Sequence, residues 1–90
     1  MTKGASYILN TYNGLNIGSE DTDPSENYWL LIGQQGTLLH YAHELNFWNE
    51  DRVLIQFERD VSSLGLACHN PISNSLWILK SDLLELNPAK

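Results

Sequence analysis

Residues 33–58 read GQQGTLLHYAHELNFWNEDRVLIQFE, and two apolar runs in this stretch flank a polar connector. The connector, residues 43–51, is too long for a tight hairpin turn. It carries three carboxylates, no lysine or arginine, and two large aromatic side chains, Phe47 and Trp48. We expect Phe47 to fold back and be buried, and Trp48 to remain partly exposed.

The second apolar run, residues 52–58, alternates between apolar and polar side chains, which is typical of a half-buried β-strand. Val53, Ile55 and Phe57 share one face and are predicted to point into the core. Leu54 breaks the pattern on the outer face. The stretch therefore predicts two strands joined by a long loop that carries aromatic side chains.

Strand-like runs also occur on both sides of this stretch. A polar loop with Pro24 separates the first two of them, and Gly33 and Gly36 are predicted to bracket a sharp turn or bulge. Residues 81–86 begin with a capping Ser81 and have room for one short helical or 3₁₀ turn. The remaining predicted strands are residues 6–12, 28–33 leading into 36–42, 64–70 and 76–80, with a last short strand that could include Leu86.

About five short strands separated by turns predict a mainly β, antiparallel barrel or sandwich. Closing the sheet would remove edges that a short chain cannot otherwise protect. Ninety residues without a linker or a repeat predict a single domain, residues 1–90, whose barrel core covers about 6–86. The predicted core comprises Val53, Ile55, Phe57, Leu66, Leu76 and Ile78.

Three segments carry a resemblance to a known fold family: IGQQGTLL, RVLIQFE and LWILKSDLLEL. Together they resemble the SH3-like small barrel, in which a Gly-x-x-Gly-Thr entry, a hydrophobic strand and a Trp-containing strand precede a short 3₁₀ turn. The resemblance implies an antiparallel barrel of five or six strands with one short turn. It implies no activity, because small barrels support many functions.

Charge restricts the class of partner. Eleven acidic residues against five basic ones give a formal net charge of −6, and residues 19–60 contain nine of the carboxylates against only Arg52 and Arg59. Such a chain repels nucleic acids and anionic membranes and attracts a basic protein. No apolar run is long enough to span a bilayer and no signal peptide is evident, so we expect a cytoplasmic location.

The residues that most often carry chemistry form no recognisable catalytic or metal motif. His40 and His43 are three apart, so on a strand they point to opposite faces. Cys68 and His69 are adjacent and diverge in the same way, and a single cysteine allows no intramolecular disulfide. We therefore predict that the protein is not an enzyme and holds no metal or cofactor.

The sequence therefore favours a binding surface over a catalytic or metal site. Acidic side chains in the first loop, residues 13–27, and in the connector could form one patch around an aromatic anchor, since these loops often lie near one another in small barrels. The predicted partner-binding residues are Glu20, Asp21, Asp23, Glu26, Glu44, Trp48, Glu50 and Asp51.

In size, charge and predicted fold the chain resembles the small acidic immunity proteins of bacterial toxin–immunity systems, including contact-dependent inhibition. That resemblance implies a cytoplasmic inhibitor that binds a basic toxin domain, for example a nuclease, and occludes its active site. The alternative is a non-catalytic regulatory SH3-like adaptor that binds a basic or proline-rich peptide. Its aromatic groove would be drawn from Tyr12, Tyr28, Trp29, Trp48 and Trp77.

Overall fold

The computed structural model describes residues 1–86 and places five strands in one antiparallel sheet. The strands are β1 (Ser6–Leu9), β2 (Gln35–Tyr41), β3 (Arg52–Phe57), β4 (Ser75–Leu79) and β5 (Leu83–Glu85). They follow the order β4-β3-β2-β1-β5 across the sheet. Consecutive strands β1 to β4 are therefore neighbours, and the last strand returns to pair with the first. This mainly β arrangement confirms the predicted fold class.

The connections contain short 3₁₀ turns, and within residues 1–86 none is longer than four residues. Five turns occur where one was predicted: Pro24–Glu26, Tyr28–Leu31, Ala42–Leu45, Val61–Leu64 and Lys80–Asp82. In the described part of the chain, β4 and β5 form the two edges of the sheet, so hydrogen bonds do not close it into a complete barrel. An open sheet of this kind does not conflict with an SH3-like fold.

The alternation in β3 builds the core as predicted. Val53, Ile55 and Phe57 are buried on the inner face. The other predicted core residues, Leu66, Leu76 and Ile78, are also buried in the same cluster. This face removes a cluster of large apolar side chains from water, and that burial is the main favourable contribution to folding.

Leu54 lies on the opposite face of β3, yet its side chain is only 2% exposed. In the ladder it pairs with His40 on β2 and Trp77 on β4. Cross-strand partners share a face, so these two large side chains flank Leu54. The break in the alternation therefore indicates a second, smaller buried region on the outer face.

The prediction of an extended run at 28–33 is wrong, because Tyr28–Leu31 forms a 3₁₀ turn. Backbone amides bond three residues back, as in the contact between the Ile32 N–H and the Trp29 carbonyl at 3.1 Å. Positions three apart share a face in such a turn, so Tyr28 and Leu31 are both buried. A run of four apolar residues cannot by itself distinguish this spacing from a buried strand.

The predicted strand at 64–70 is also wrong. Val61–Leu64 forms a 3₁₀ turn, which Asp60 caps by accepting from the Ser62 amide at 3.0 Å. Gly65 ends the turn with φ of +78°, and the chain beyond it is irregular. The Ala67 amide donates to the Ser25 carbonyl at 2.8 Å, so this segment packs on the first loop.

Smaller differences concern the ends of elements. The first strand ends at Leu9 because the next two amides, of Asn10 and Thr11, donate to the Asp82 carbonyl. The last 3₁₀ turn begins one residue before Ser81, which therefore lies inside the turn and is not its cap. The short strand that follows ends at Glu85.

The two glycines that were predicted to bracket a turn or bulge have different roles. Gly33 has φ of +91°, which glycine adopts at little cost. Gly36 lies within β2, where a β-carbon would come 2.5 Å from Ile55 Cγ2. The bulge occurs further along β2, between Leu38 and His40. Gly36 is therefore required for close packing of β2 on β3.

Candidate functional site

In the connector between β2 and β3, one aromatic ring projects into solvent and the other packs against Trp77 of β4. The turn Ala42–Leu45 ends at Asn46, whose φ of +56° reverses the chain. Phe47 is half-buried and stacks on Trp77, with ring centroids 4.1 Å apart and planes 9° from parallel. Trp48 follows at once and is 81% exposed. Phe47 is thus less buried, and Trp48 more exposed, than the sequence suggested.

The carboxylates of the connector fall into two groups. Glu44 accepts from Lys3 Nζ at 2.6 Å and from the Tyr41 amide at 2.7 Å. These two hydrogen bonds lower the pKa of Glu44 to about 2. Glu50 and Asp51 are exposed, and their side chains accept no hydrogen bond from the described residues. Only the second group is free to meet a partner without a rearrangement.

The carboxylates of the first loop likewise divide into those with hydrogen-bond partners and those without. Asp23 caps the turn Pro24–Glu26, because its Oδ1 accepts from the Ser25 amide at 2.9 Å and from the Ser25 hydroxyl at 2.8 Å. Those hydrogen bonds lower the pKa of Asp23. Glu26 Oε2 lies 2.9 Å from His69 Nε2, and His69 belongs to the irregular segment that follows the turn Val61–Leu64. Glu20 and Asp21 are exposed and make no side-chain hydrogen bond within residues 1–86.

Asp82 fixes the start of the first loop, and sequence reasoning missed it. Its side chain is 1% exposed. Its carboxylate accepts from Thr11 Oγ1 at 2.6 Å and from the amides of Asn13 and Gly14 at 2.8 and 3.0 Å. Nothing in the local pattern marks this residue, because its donors lie about seventy positions earlier in the chain.

Arg52, the first residue of β3, links the start of the first loop to the strand that follows the connector. Its guanidinium donates to Asn13 Oδ1 at 2.6 Å and to the Trp77 carbonyl at 2.9 Å. At the end of the connector, the Lys80 amide donates to the Asp51 carbonyl at 2.9 Å. The start of the first loop and the end of the connector therefore lie close together.

The first loop also forms one side of an open surface concavity of about 300 Å³. Three aromatic rings form part of its wall: Tyr12 meets Trp29 edge to face with centroids 4.9 Å apart, and Tyr28 lies 5.7 Å from Tyr12. Tyr28 donates to the Ala67 carbonyl at 2.6 Å, and burial, with a smaller effect from Glu26, raises its pKa to about 12. The lining residues are Tyr12, Asn13, Thr22, Asp23, Glu26, Tyr28 and Trp29.

Of the five aromatic residues considered for a groove, the structure brings together Tyr12, Tyr28 and Trp29. The other two, Trp48 and Trp77, lie with Phe47 in a separate group on the outer face of the sheet. The chain therefore presents two different aromatic features. One is a concave acidic pocket in the first loop, and the other is a projecting ring on the connector.

The histidines and the cysteine are dispersed. Within residues 1–86, no group of three or more His, Cys, Asp or Glu side chains is placed to hold a metal ion. His40 and His43 lie at the end of β2 and in the following turn. The Cys68 thiol is half-buried and donates to the carbonyls of Ile72 and Ser75, each at 3.4 Å. These hydrogen bonds and the partial burial of the thiol account for the position of the Cys68 side chain.

Comparison of the chain with protein-family models, with curated proteins and with solved structures finds no match. The described residues include no helix with both the length and the apolar character needed to cross a membrane.

Proposed function

We propose that the protein is a protein-binding module that captures a basic protein, as an immunity protein captures and neutralises a toxin domain. The observation that carries the proposal is Trp48, whose side chain is 81% exposed next to the free carboxylates of Glu50 and Asp51. A projecting tryptophan leaves a large apolar surface in water, and such residues are common anchors of protein interfaces. The aromatic anchor and its acidic rim suit a partner with a positively charged surface.

Charge supports the same class of partner. The net charge of −6 and the free carboxylates of Glu20 and Asp21 create a negative field on the side of the first loop. Nucleases carry basic clefts for an anionic substrate, so an acidic inhibitor would match their charge. We propose a basic toxin domain of this kind as the partner, bound in the cytoplasm so that its active site is covered. The protein would have no catalytic role of its own.

Binding kinetics at several ionic strengths test the steering part of the proposal. If a large secreted protein is encoded directly upstream of this chain, it is the first partner to examine. Replacing all four carboxylates of the first loop with Asn or Gln should slow association, and the salt dependence of association should become weaker. Asp23→Asn and Glu26→Gln keep acceptor oxygens for Ser25 and His69, so the loop should stay folded. An unchanged association rate would exclude steering by this loop.

Trp48→Ala tests the anchor separately. If Trp48 is buried in the complex, the change should cost about 2 kcal/mol or more, or roughly thirtyfold in affinity, mostly through faster dissociation. Leu84→Ala is a matched control, because Leu84 is 54% exposed on β5, far along the chain from the connector. Equal dissociation rates for both variants would place the interface on another face. Urea unfolding should show that neither variant is destabilised.

A second candidate is a regulatory adaptor that binds a basic or proline-rich peptide. The concavity lined by Tyr12, Tyr28 and Trp29 is the observation in its favour, since aromatic-lined grooves bind extended peptides. NMR distinguishes the two candidates through the indole N–H signals. A peptide ligand should perturb Trp29 and leave Trp48 unchanged, whereas capture of a toxin domain through the connector should perturb Trp48.

A further inference from the structure

The pocket in the first loop combines three features on a small surface. It is a concavity of about 300 Å³, its wall includes the rings of Tyr12, Tyr28 and Trp29, and two carboxylates stand on it. A volume of this size accommodates one large side chain or a small ligand. Aromatic faces beside carboxylates suit a cation with a flat apolar surface.

The carboxylates of Asp23 and Glu26 each use one oxygen to hold the loop and leave the other oxygen without a partner among residues 1–86. Asp23 binds Ser25 through Oδ1 alone, and Glu26 binds His69 through Oε2 alone. Asp23 Oδ2 and Glu26 Oε1 accept no hydrogen bond from any residue in the described range 1–86. The contacts that fold the loop therefore orient one free acceptor oxygen on each carboxylate. Such preorganisation reduces the entropy lost when a ligand binds.

The aromatic part of the wall is similarly fixed. Trp29 meets Tyr12 edge to face on one side, and Gly18 approaches so closely that a β-carbon there would lie 2.8 Å from Trp29 Cε3. Tyr28 is anchored through its hydroxyl to the Ala67 carbonyl. The chain's own Arg52 is not among the lining residues. Its guanidinium donates to the Trp77 carbonyl and to Asn13, which does line the pocket, so Arg52 stands at the edge of the pocket without filling it.

We infer that this pocket receives one arginine side chain of the basic partner. The guanidinium would pack on the aromatic wall and donate to Asp23 Oδ2 and Glu26 Oε1. Arginine fits better than lysine because its planar group combines stacking with several directed N–H donors, whereas an ammonium is compact and strongly hydrated. The inference rests on the proposed capture of a basic protein and adds where, and through which side chain, that partner is held.

Titration of the ¹⁵N-labelled protein with Nα-acetyl-arginine amide tests the pocket without a partner. The three indole N–H signals, assigned by Trp→Phe variants, report on the first loop and the connector separately. We expect the Trp29 signal to move with a dissociation constant of about 1–10 mM, while the Trp48 and Trp77 signals stay in place. The neutral isostere Nα-acetyl-citrulline amide should bind at least about tenfold more weakly.

A pair of double variants with equal loss of charge completes the test. Asp23→Asn with Glu26→Gln removes the charge of both lining carboxylates and should weaken binding of the arginine probe by about tenfold or more. Glu20→Gln with Asp21→Asn removes two nearby charges that do not line the pocket and should change binding by less than about twofold. Both double variants should retain the dispersed amide spectrum of the folded protein.

Three results would overturn the inference: an unmoved Trp29 signal, equal binding of the citrulline probe, or equal weakening by both double variants. None of these results bears on Trp48 or on the salt dependence of partner association. A failure of the pocket is therefore distinguishable from a failure of the proposed capture function.

Discussion

Asp82 ties the start of the first loop to the junction of β4 and β5, and we predict that replacing it destabilises the fold. The side chain is almost fully buried and accepts three hydrogen bonds, from the Thr11 hydroxyl and the amides of Asn13 and Gly14. The backbone carbonyl of Asp82 also accepts from two amides, but a substitution leaves those contacts available. The variant Asp82→Ala therefore probes the carboxylate alone.

The expected magnitude follows from the three donors. A hydrogen bond to a charged group contributes about 1.5–3 kcal/mol, and a buried donor left without a partner costs a further desolvation penalty. Asn13 and Gly14 are exposed residues, so water can reach their freed amides and reduce the loss. We expect Asp82→Ala to lower the free energy of unfolding by about 3–4 kcal/mol, a large share of the roughly 5–15 kcal/mol of a small domain.

Urea unfolding monitored by tryptophan fluorescence measures this loss. With a slope of about 1–3 kcal/mol per molar urea, the midpoint should fall by about 1–4 M. Asp82→Asn should have an intermediate effect, because one oxygen remains an acceptor while the amide nitrogen faces an N–H donor. Glu85→Ala is the control, since that carboxylate is exposed on β5 and should matter by less than about 0.5 kcal/mol.

The reasoning is refuted if Asp82→Ala and Glu85→Ala shift the urea midpoint equally. Such a result would mean that the donors of Asp82 find equivalent partners elsewhere, and that the start of the first loop does not depend on this carboxylate. A large effect of Asp82→Ala with no effect of Asp82→Asn would show that the negative charge is not needed, and that the acceptor oxygen and the volume that Asn retains are sufficient.

Three further predictions concern other parts of the fold. Leu54→Ala should lower the free energy of unfolding by about 2–4 kcal/mol, although it lies on the outer face, whereas the exposed Leu84→Ala should change it by less than about 0.5 kcal/mol. Gly36→Ala should cost about 2 kcal/mol, measured by urea unfolding, because the added β-carbon would clash with Ile55. An NMR titration should show Glu44 ionising with a pKa of about 2, so its contacts stabilise the fold above pH 4.5 and are lost as pH falls toward 2.

The core of the sheet could be predicted because the order of neighbouring residues within one strand determines which side chains face inward. In β3 the alternation of Val53, Ile55 and Phe57 identifies both the strand and its inner face, since successive side chains of a strand point to opposite sides. Phe47 and Trp48 could be singled out together, because two large aromatic rings in a polar connector are a local feature, but only the structure shows that Phe47 stacks on Trp77 while Trp48 projects. The charge of the chain likewise requires only counting.

Two elements were missed because local apolar content is ambiguous. Tyr28 and Leu31 are three residues apart in a continuous apolar run, which fits a 3₁₀ turn and a buried strand equally well. Leu66 was placed correctly in the core, yet the segment around it is irregular because its backbone bonds to the first loop instead of to a neighbouring strand. Both segments contact residues that are distant in sequence: Tyr28 donates to the Ala67 carbonyl, and the Ala67 amide donates to the Ser25 carbonyl.

The sequence by itself determined the fold class, the inner face of the sheet and the acidic character of the surface, because these depend on periodicity and composition. Only the tertiary structure decided that Leu54 is buried, since its cover comes from β2 and β4. Only the tertiary structure gave Asp82 its role and assembled the pocket with Asp23, because these depend on hydrogen bonds and contacts across loops. Such contacts leave no periodic trace in a single sequence, and they position the side chains from which we infer function.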